Sequence, residues 1–208
     1  MHIATIARLL RPYANLDEQR LRLISIYIDI LLKWNSRINL TAVREPEQIV
    51  TRHFGESFFA AEVLRRDLIP ESAIDFGSGA GFPGIPLAIH MPETKVTLIE
   101  SNHKKSTFLR EVIAALGLKN LAVYTGRGED YSSHASLVTM RAVERFDKAL
   151  PIAVNLAELG GRVGLMIGTA QIDEAKTIAP QMEWKDPETV PGGQSRTLLV
   201  GVKRVKVG

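Results

Sequence analysis

The residues best placed to do chemistry are concentrated in one stretch, Asp75-Phe76-Gly77-Ser78-Gly79-Ala80-Gly81-Phe82-Pro83-Gly84. An apolar run breaks here into four glycines and gives way to Leu87, Ala88 and Ile89. Glycine is needed where the backbone takes positive φ or lies against a ligand with no β-carbon between. In a doubly wound sheet such a loop sits in the crevice beyond the carboxyl ends of the strands. Glu100 ends the next apolar run, Lys95 to Glu100, where a carboxylate accepts hydrogen bonds from ribose hydroxyls. The spacing Gly79-x-Gly81-x-x-Gly84 also satisfies the dinucleotide fingerprint, and Glu100 would serve NAD equally well. Asp75 separates the two ligands. At the mouth of the cleft its carboxylate repels a pyrophosphate. S-adenosylmethionine carries no phosphate, and its sulfonium and ammonium are cations. The reading therefore favours a methyl donor bound by Asp75, Glu100 and the loop glycines, Gly79 among them, with an NAD-dependent enzyme as the alternative. A chain of 208 residues leaves little room for a separate dehydrogenase substrate domain.

Other chemistries find little support. The five histidines are scattered, and neither H-E-x-x-H nor G-x-S-x-G occurs. The chain has no cysteine, which excludes disulfides, thiolate metal sites and cysteine nucleophiles and fits a reducing cytoplasm. Twenty-six Lys and Arg against 23 Asp and Glu permit nucleic-acid binding without arguing for it. No apolar run approaches the ~20 residues that span a bilayer. Ile3, Ile6, Ala7 and Leu10 stand at helical spacing, and a terminal helix accounts for them better than a targeting peptide.

These residues need a scaffold, and the apolar pattern supplies one. From Asn15 to Trp34, Ile24, Tyr27, Ile28 and Leu31 mark a helix face, with Asn15 or Asp17 as its cap and some strand-like alternation beside it. A polar stretch, Asn35 to Pro46, precedes a second helix carrying Phe54, Phe58 and Ala61. Strands are predicted at Ala73 to Phe76, Lys95 to Glu100, Leu121 to Thr125, Leu137 to Met140, Gly161 to Ile167 and Thr197 to Val202. Helices are predicted between Ser101 and Gly117 and from Asp147 to Leu159. Alternation at these lengths predicts an α/β fold, a mostly parallel sheet with helices on both faces. A single domain is expected, residues 1–70 forming a helical N-terminal extension and 71–208 the core.

Beyond the loop, Trp34-Asn35-Ser36-Arg37-Ile38-Asn39-Leu40-Thr41-Ala42, continuing through Arg44 and Arg52-His53 to Ser57, resembles the N-terminal signature of a known family. That family is RsmG (glucose-inhibited division protein B), the bacterial small-subunit rRNA guanine-N7 methyltransferases. The segments Asp75 to Gly84 and Ser136 to Val143 are similar to it too. The resemblance implies a Rossmann-like class I S-adenosylmethionine-dependent sheet with a final antiparallel strand. It implies cofactor contacts at Gly77, Phe82, Gly128, Glu129 and Arg141, with Glu100 on the ribose. It also implies small-subunit (16S) ribosomal RNA or the 30S subunit as partner, in the cytoplasm. The chain departs from the family at Met140, where a serine is usual, and at Ile167, where a lysine is frequent. Phe54-Gly55-Glu56 replaces a more usual apolar pair and aspartate.

Guanine N7 has a free lone pair in the neutral base, so its methylation needs no general base and no metal. The work is alignment of nucleophile, methyl carbon and sulfonium, and no catalytic acid or base is expected, with Arg141 as possible support. N7 is hidden in the deep groove of folded RNA, so the target base must be opened, with Phe82 as a candidate stacking platform. Arg37, Arg44, Arg52, Arg145 and Arg196 are the foremost candidate phosphate contacts, followed by Lys104, Lys105 and Arg110. His53 reads as a satisfied core histidine. The alternatives are a methyltransferase acting on another substrate, and an RNA-binding assembly factor of the same fold with little turnover.

Overall fold

The computed structural model describes residues 1–193 and 195–205. Successive strand residues point to opposite faces of a sheet, and the apolar side chains divide accordingly. Ala73, Leu98, Leu137, Leu198 and Val200 join a cluster on one face, while Ile74, Ile99, Val138 and Leu199 join another on the opposite face. Both faces must therefore be covered by helices.

The chain runs through α1 (Ile3–Leu10), α2 (Glu18–Asn35), α3 (Pro46–Ile49), a π-helical turn (Val50–Gly55), α4 (Glu56–Arg65), β1 (Ser72–Phe76), α5 (Gly84–His90), β2 (Lys95–Glu100), α6 (His103–Leu116) and β3 (Leu121–Thr125). It continues with β4 (Ala135–Arg141), α7 (Phe146–Leu156), β5 (Ala157–Gly168), α8 (Ile172–Ile178), β6 (Met182–Trp184), β7 (Glu188–Thr189) and β8 (Arg196–Lys203). The sheet order is β3-β2-β1-β4-β5-β8-β6, with β7 also on β8. Strands β1 to β5 are parallel, and β8 runs antiparallel to β5. The order turns back at β1, between β2 and β4, which opens a crevice beyond their carboxyl ends. No helix among the described residues is long and apolar enough to cross a membrane.

The N-terminal helices share a core with the sheet. Ile24, Tyr27, Ile28 and Leu31 of α2 are fully buried in the cluster that holds Leu98 and Phe108. Burying each such side chain contributes ~1.5–3 kcal/mol. Asp17, rather than Asn15, caps α2, its Oδ1 accepting the Arg20 N–H at 2.8 Å. The competing strand alternation in this segment loses, because the helix buries one continuous stripe.

Other boundaries differ from expectation. Helix α7 stops at Leu156 rather than Leu159, and β5 begins at once, four residues before the predicted Gly161. Gly160 at φ +76° and a register shift between Ala135 and Leu137 let Glu158 to Gly161 bulge out of the ladder. Elements α8, β6 and β7 went unpredicted. The two strands are three and two residues long, too short for a periodic signal.

Candidate active site

The glycine loop is shaped from beneath. Asp75 is 1% exposed, and its Oδ1 accepts the Thr139 hydroxyl at 3.0 Å while its Oδ2 accepts the Gly84 N–H at 3.2 Å. Burial pushes its carboxyl up to about 6, against the hydrogen bonds from Thr139, Ser78 and Gly84. This corrects the expectation that Asp75 stands at the mouth of the cleft. Residues 73 and 75 share a strand face, and that face packs under α5. The consequence for ligand choice survives in another form, since the first N–H of α5 already serves Asp75 and is not free for a pyrophosphate.

Gly77 and Gly79 hold φ of +69° and +55°, and both line a cavity of about 530 Å³. Glu100 lies in the same lining. Its Oε2 accepts the Gly79 N–H at 2.8 Å and its Oε1 the Asn102 N–H at 2.7 Å. Each oxygen keeps a second lone pair, so the carboxylate is fixed in place yet able to accept hydroxyl protons. The cavity's opposite wall is Leu40, Thr41 and Ala42 with His53, and it closes with Arg141 to Glu144 after β4. Asn35, 5% exposed, clamps that wall, its Oδ1 accepting from the N–H groups of Leu40 and Thr41 and its Nδ2 donating to the Thr41 carbonyl. Sequence reasoning held Asn35 only as part of a signature and gave it no role.

Phe82 lines the cavity but cannot serve as a stacking platform. Tyr27 stacks on one face at 5.3 Å between centroids and His53 on the other at 4.9 Å, while Phe54 meets it edge-on at 5.0 Å. Tyr27 also donates its hydroxyl to the Ala80 carbonyl, tying α2 to the loop. Gly128 and Glu129 are not brought to this cavity. They line a separate depression with Tyr131, Pro151 and Ile152, because Gly128 packs down on the Phe76 ring.

A second cavity, of about 380 Å³, adjoins the first across a shared wall of Thr41, Ala42, His53, Arg141, Ala142 and Val143. Arg141 Nη2 donates to the Arg52 carbonyl at 2.7 Å and reaches Glu56 Oε2 at 3.1 Å and His53 Nδ1 at 3.2 Å. The π-helical turn presents that carbonyl, as such turns often do at functional sites. Glu56 also faces Arg196, whose Nε lies 2.5 Å from Oε1. Arg196 is therefore engaged in an ion pair, a correction to its reading as an open phosphate contact. Burial pushes the Glu56 carboxyl up, while Arg141, Arg196 and Arg52 pull it down. Arg37, Arg44, Arg52 and Arg145 are exposed, Arg52 on the rim of the second cavity and Arg37 outside both linings. Gly55 is explained by Tyr13, whose ring would stand 2.8 Å from an added β-carbon.

His53 has both ring nitrogens partnered, as expected of a satisfied histidine, and it also stands in the wall between the cavities. Arginine donates only, so Nδ1 is the acceptor and Nε2–H donates to Thr41 Oγ1 at 2.7 Å. Burial first, then Arg141 and Arg52, push its pKa down from 6.5 to about 3. The unfolded chain gains a proton as pH falls through 6.5, whereas the folded chain does not until about pH 3, so stability present above pH 6.5 is lost on acidification. Between pH 7 and pH 5 this amounts to about 2 kcal/mol. The melting temperature of His53→Gln should fall less than that of the wild type over this interval, by roughly 4–8 °C. Parallel melting curves for the two proteins would show that His53 is not the group responsible.

The family described as rRNA small subunit methyltransferase G matches residues 20–198. The chain belongs to this family. A ribosomal RNA small subunit methyltransferase G from Roseiflexus castenholzii is 37% identical over 201 residues, covering 90% of this chain and 85% of its own. One from Nitrosomonas europaea is 41% identical, covering 85% and 84%. In fold, the chain is similar to P. horikoshii TYW2 in complex with MeSAdo, at TM-score 0.59 and 19% identity over 74% of this chain and 63% of that one. The methyltransferase G match includes Asn35, Glu56, the glycine loop and Arg141, so both cavities lie within the family's matched span.

Proposed function

We propose that the protein transfers a methyl group from S-adenosylmethionine to N7 of one guanine in 16S ribosomal RNA. The observation that carries this reading is the pair of adjoining cavities. One is floored by glycines and Glu100, the other lies beyond β4 and β5, and Arg141 and His53 form the wall between them. The first cavity fits the cofactor. Its volume is in the range of small-molecule sites, Glu100 is poised for ribose hydroxyls, and the Gly79 and Gly84 N–H groups serve Glu100 and Asp75 rather than a pyrophosphate. When bound, S-adenosylmethionine supplies a methyl carbon on a cationic sulfonium.

The residues themselves do positional work. Asp75 and Tyr27 fix the loop from below and behind. Asn35 holds the Leu40–Thr41 wall, and the Arg141–Glu56–Arg196 set holds the junction. No group is required to remove a proton, and the neutral His53 is not needed as a base. Exposed Arg37, Arg44, Arg52 and Arg145 serve the RNA phosphates. The site of action is then the cytoplasm, with the small ribosomal subunit.

Radiolabelled S-adenosylmethionine incubated with small subunits from cells lacking this modification should yield 7-methylguanosine at one rRNA position. Label on another base, or on protein, would overturn the substrate assignment. Glu100→Gln should raise the Kd for S-adenosylmethionine about ten- to a hundred-fold, the worth of a hydrogen bond to a charged group. Its single carbonyl oxygen also has to replace two acceptors for Gly79 and Asn102. An unchanged Kd by calorimetry would remove Glu100 from the cofactor site.

A further inference from the structure

At the second cavity Glu56 stands between two cations, its Oε1 2.5 Å from Arg196 Nε and its Oε2 3.1 Å from Arg141 Nη2, and Arg141 Nη1 is a buried donor with no hydrogen-bond partner among the described residues. Buried polar atoms are nearly always satisfied, so a spare guanidinium donor beside a buried carboxylate in a cavity wall points to a ligand. Arg196 Nε is paired with Glu56 Oε1, and a carboxylate oxygen so engaged still has a second lone pair to offer. Glu56 is the one acid in the described lining, and Met140, Phe146, Met166, Ile167 and Val190 supply apolar walls.

We propose that this cavity takes the methyl-accepting base, and that Glu56 with Arg141 selects guanine by its Watson–Crick edge. The assignment rests on the rRNA guanine reading given above. Guanine offers an acceptor, O6, beside two donors, N1–H and the N2 amino group. A guanidinium N–H beside a carboxylate is the complement of that pattern. Adenine reverses the first two groups, setting an amino donor against Arg141 and a bare N1 against the Glu56 carboxylate, so it is rejected at both points. O6 neighbours N7 on the purine, and Arg141 belongs to the wall shared with the cofactor cavity. Holding O6 at Arg141 therefore turns N7 toward that wall while N1 and N2 face Glu56. The apolar residues at Met140 and Ile167, where the family often has polar ones, then form the flat sides of the slot rather than its hydrogen-bonding edge.

The test uses small subunits reconstituted with 16S rRNA carrying either guanosine or inosine at the target position. Inosine keeps N7, O6 and N1–H but lacks the amino group. Single-turnover methylation by the wild type should favour guanosine by roughly ten- to a hundred-fold. Glu56→Gln should bring that ratio down to within about threefold, with the Kd for S-adenosylmethionine little changed. A Glu56 that merely props the fold would slow both substrates alike and leave the ratio intact, which overturns the proposal. A wild-type ratio near one overturns it without any variant. If neither RNA is labelled by the wild type, the activity itself is wrong and this assignment falls with it.

Discussion

Gly84→Ala is expected to destabilise the protein by about 3 kcal/mol and to lower its melting temperature by roughly 6–12 °C. The added methyl would lie 2.3 Å from Leu98 Cδ2 and 2.7 Å from both Cβ and Oδ2 of Asp75. Neither neighbour has room to retreat, since Leu98 is fully buried and Asp75 is 1% exposed. Relief comes only by moving α5 off the sheet. That movement breaks the Gly84 N–H bond to Asp75 and leaves a carboxyl buried beneath the loop with one partner fewer. Since Gly77 to Ala80 and Phe82, just before Gly84 in the same loop, line the first cavity, affinity for S-adenosylmethionine should fall with stability. Gly117→Ala is the control. A β-carbon there meets nothing within 4 Å, and only the φ of +63° opposes it, so a loss of ~1 kcal/mol is expected. Thermal melts of both variants with and without cofactor check this. A Gly84→Ala melt within 2 °C of the wild type would mean that α5 has slack the packing does not show.

Much of this architecture is legible in the sequence because each strand of the parallel sheet carries its own signal. Lys95–Glu100 and Leu121–Thr125 were read with their observed bounds, and the glycine loop falls where the sheet order turns back. What failed depends on distances across the chain. The parity of Asp75 with Ala73 is visible in the sequence, but how closely Gly84 returns over it is not. Phe82 looks like an open aromatic until Tyr27, 55 residues earlier, and His53, 29 residues earlier, are found on its two faces. The π-helical turn has no pattern of its own, so the carbonyl it offers to Arg141 could not be foreseen.

Glu56 shows the limit most clearly. In the sequence it is a departure from a motif, one carboxylate among 23 acids. Its meaning comes from Arg141 and Arg196, which lie 85 and 140 residues further on and meet it only after β4 and β8 are paired through β5. In the sequence the apolar residues at Met140 and Ile167 are two separate departures from the family's pattern. In the structure they line the same cavity as Glu56, with Phe146, Met166 and Val190.

Arg141 joins that cavity to the cofactor cavity, and Arg141→Met should be the most damaging substitution at the junction. The variant loses the bonds to Arg52, His53 and Glu56 together and leaves Glu56 with Arg196 as its remaining close cation. Removing one partner of a buried pair costs about 3–5 kcal/mol, because the other charge stays desolvated. Methyl transfer should fall by about a hundred-fold or more, since the wall that aligns the two cavities is gone. The double variant Arg141→Met/Glu56→Gln separates the two effects. Neutralising both members removes the stranded charge, so stability should recover by about half or more. Activity should not recover, because the donor for O6 is still missing and glutamine offers one acceptor oxygen where the carboxylate offered two for N1–H and N2. Denaturant melts together with single-turnover methylation measure both quantities on the same preparations. If the double variant regains activity in step with stability, Arg141 is a strut for Glu56 and nothing more, and the base must be held by some other edge of the cavity.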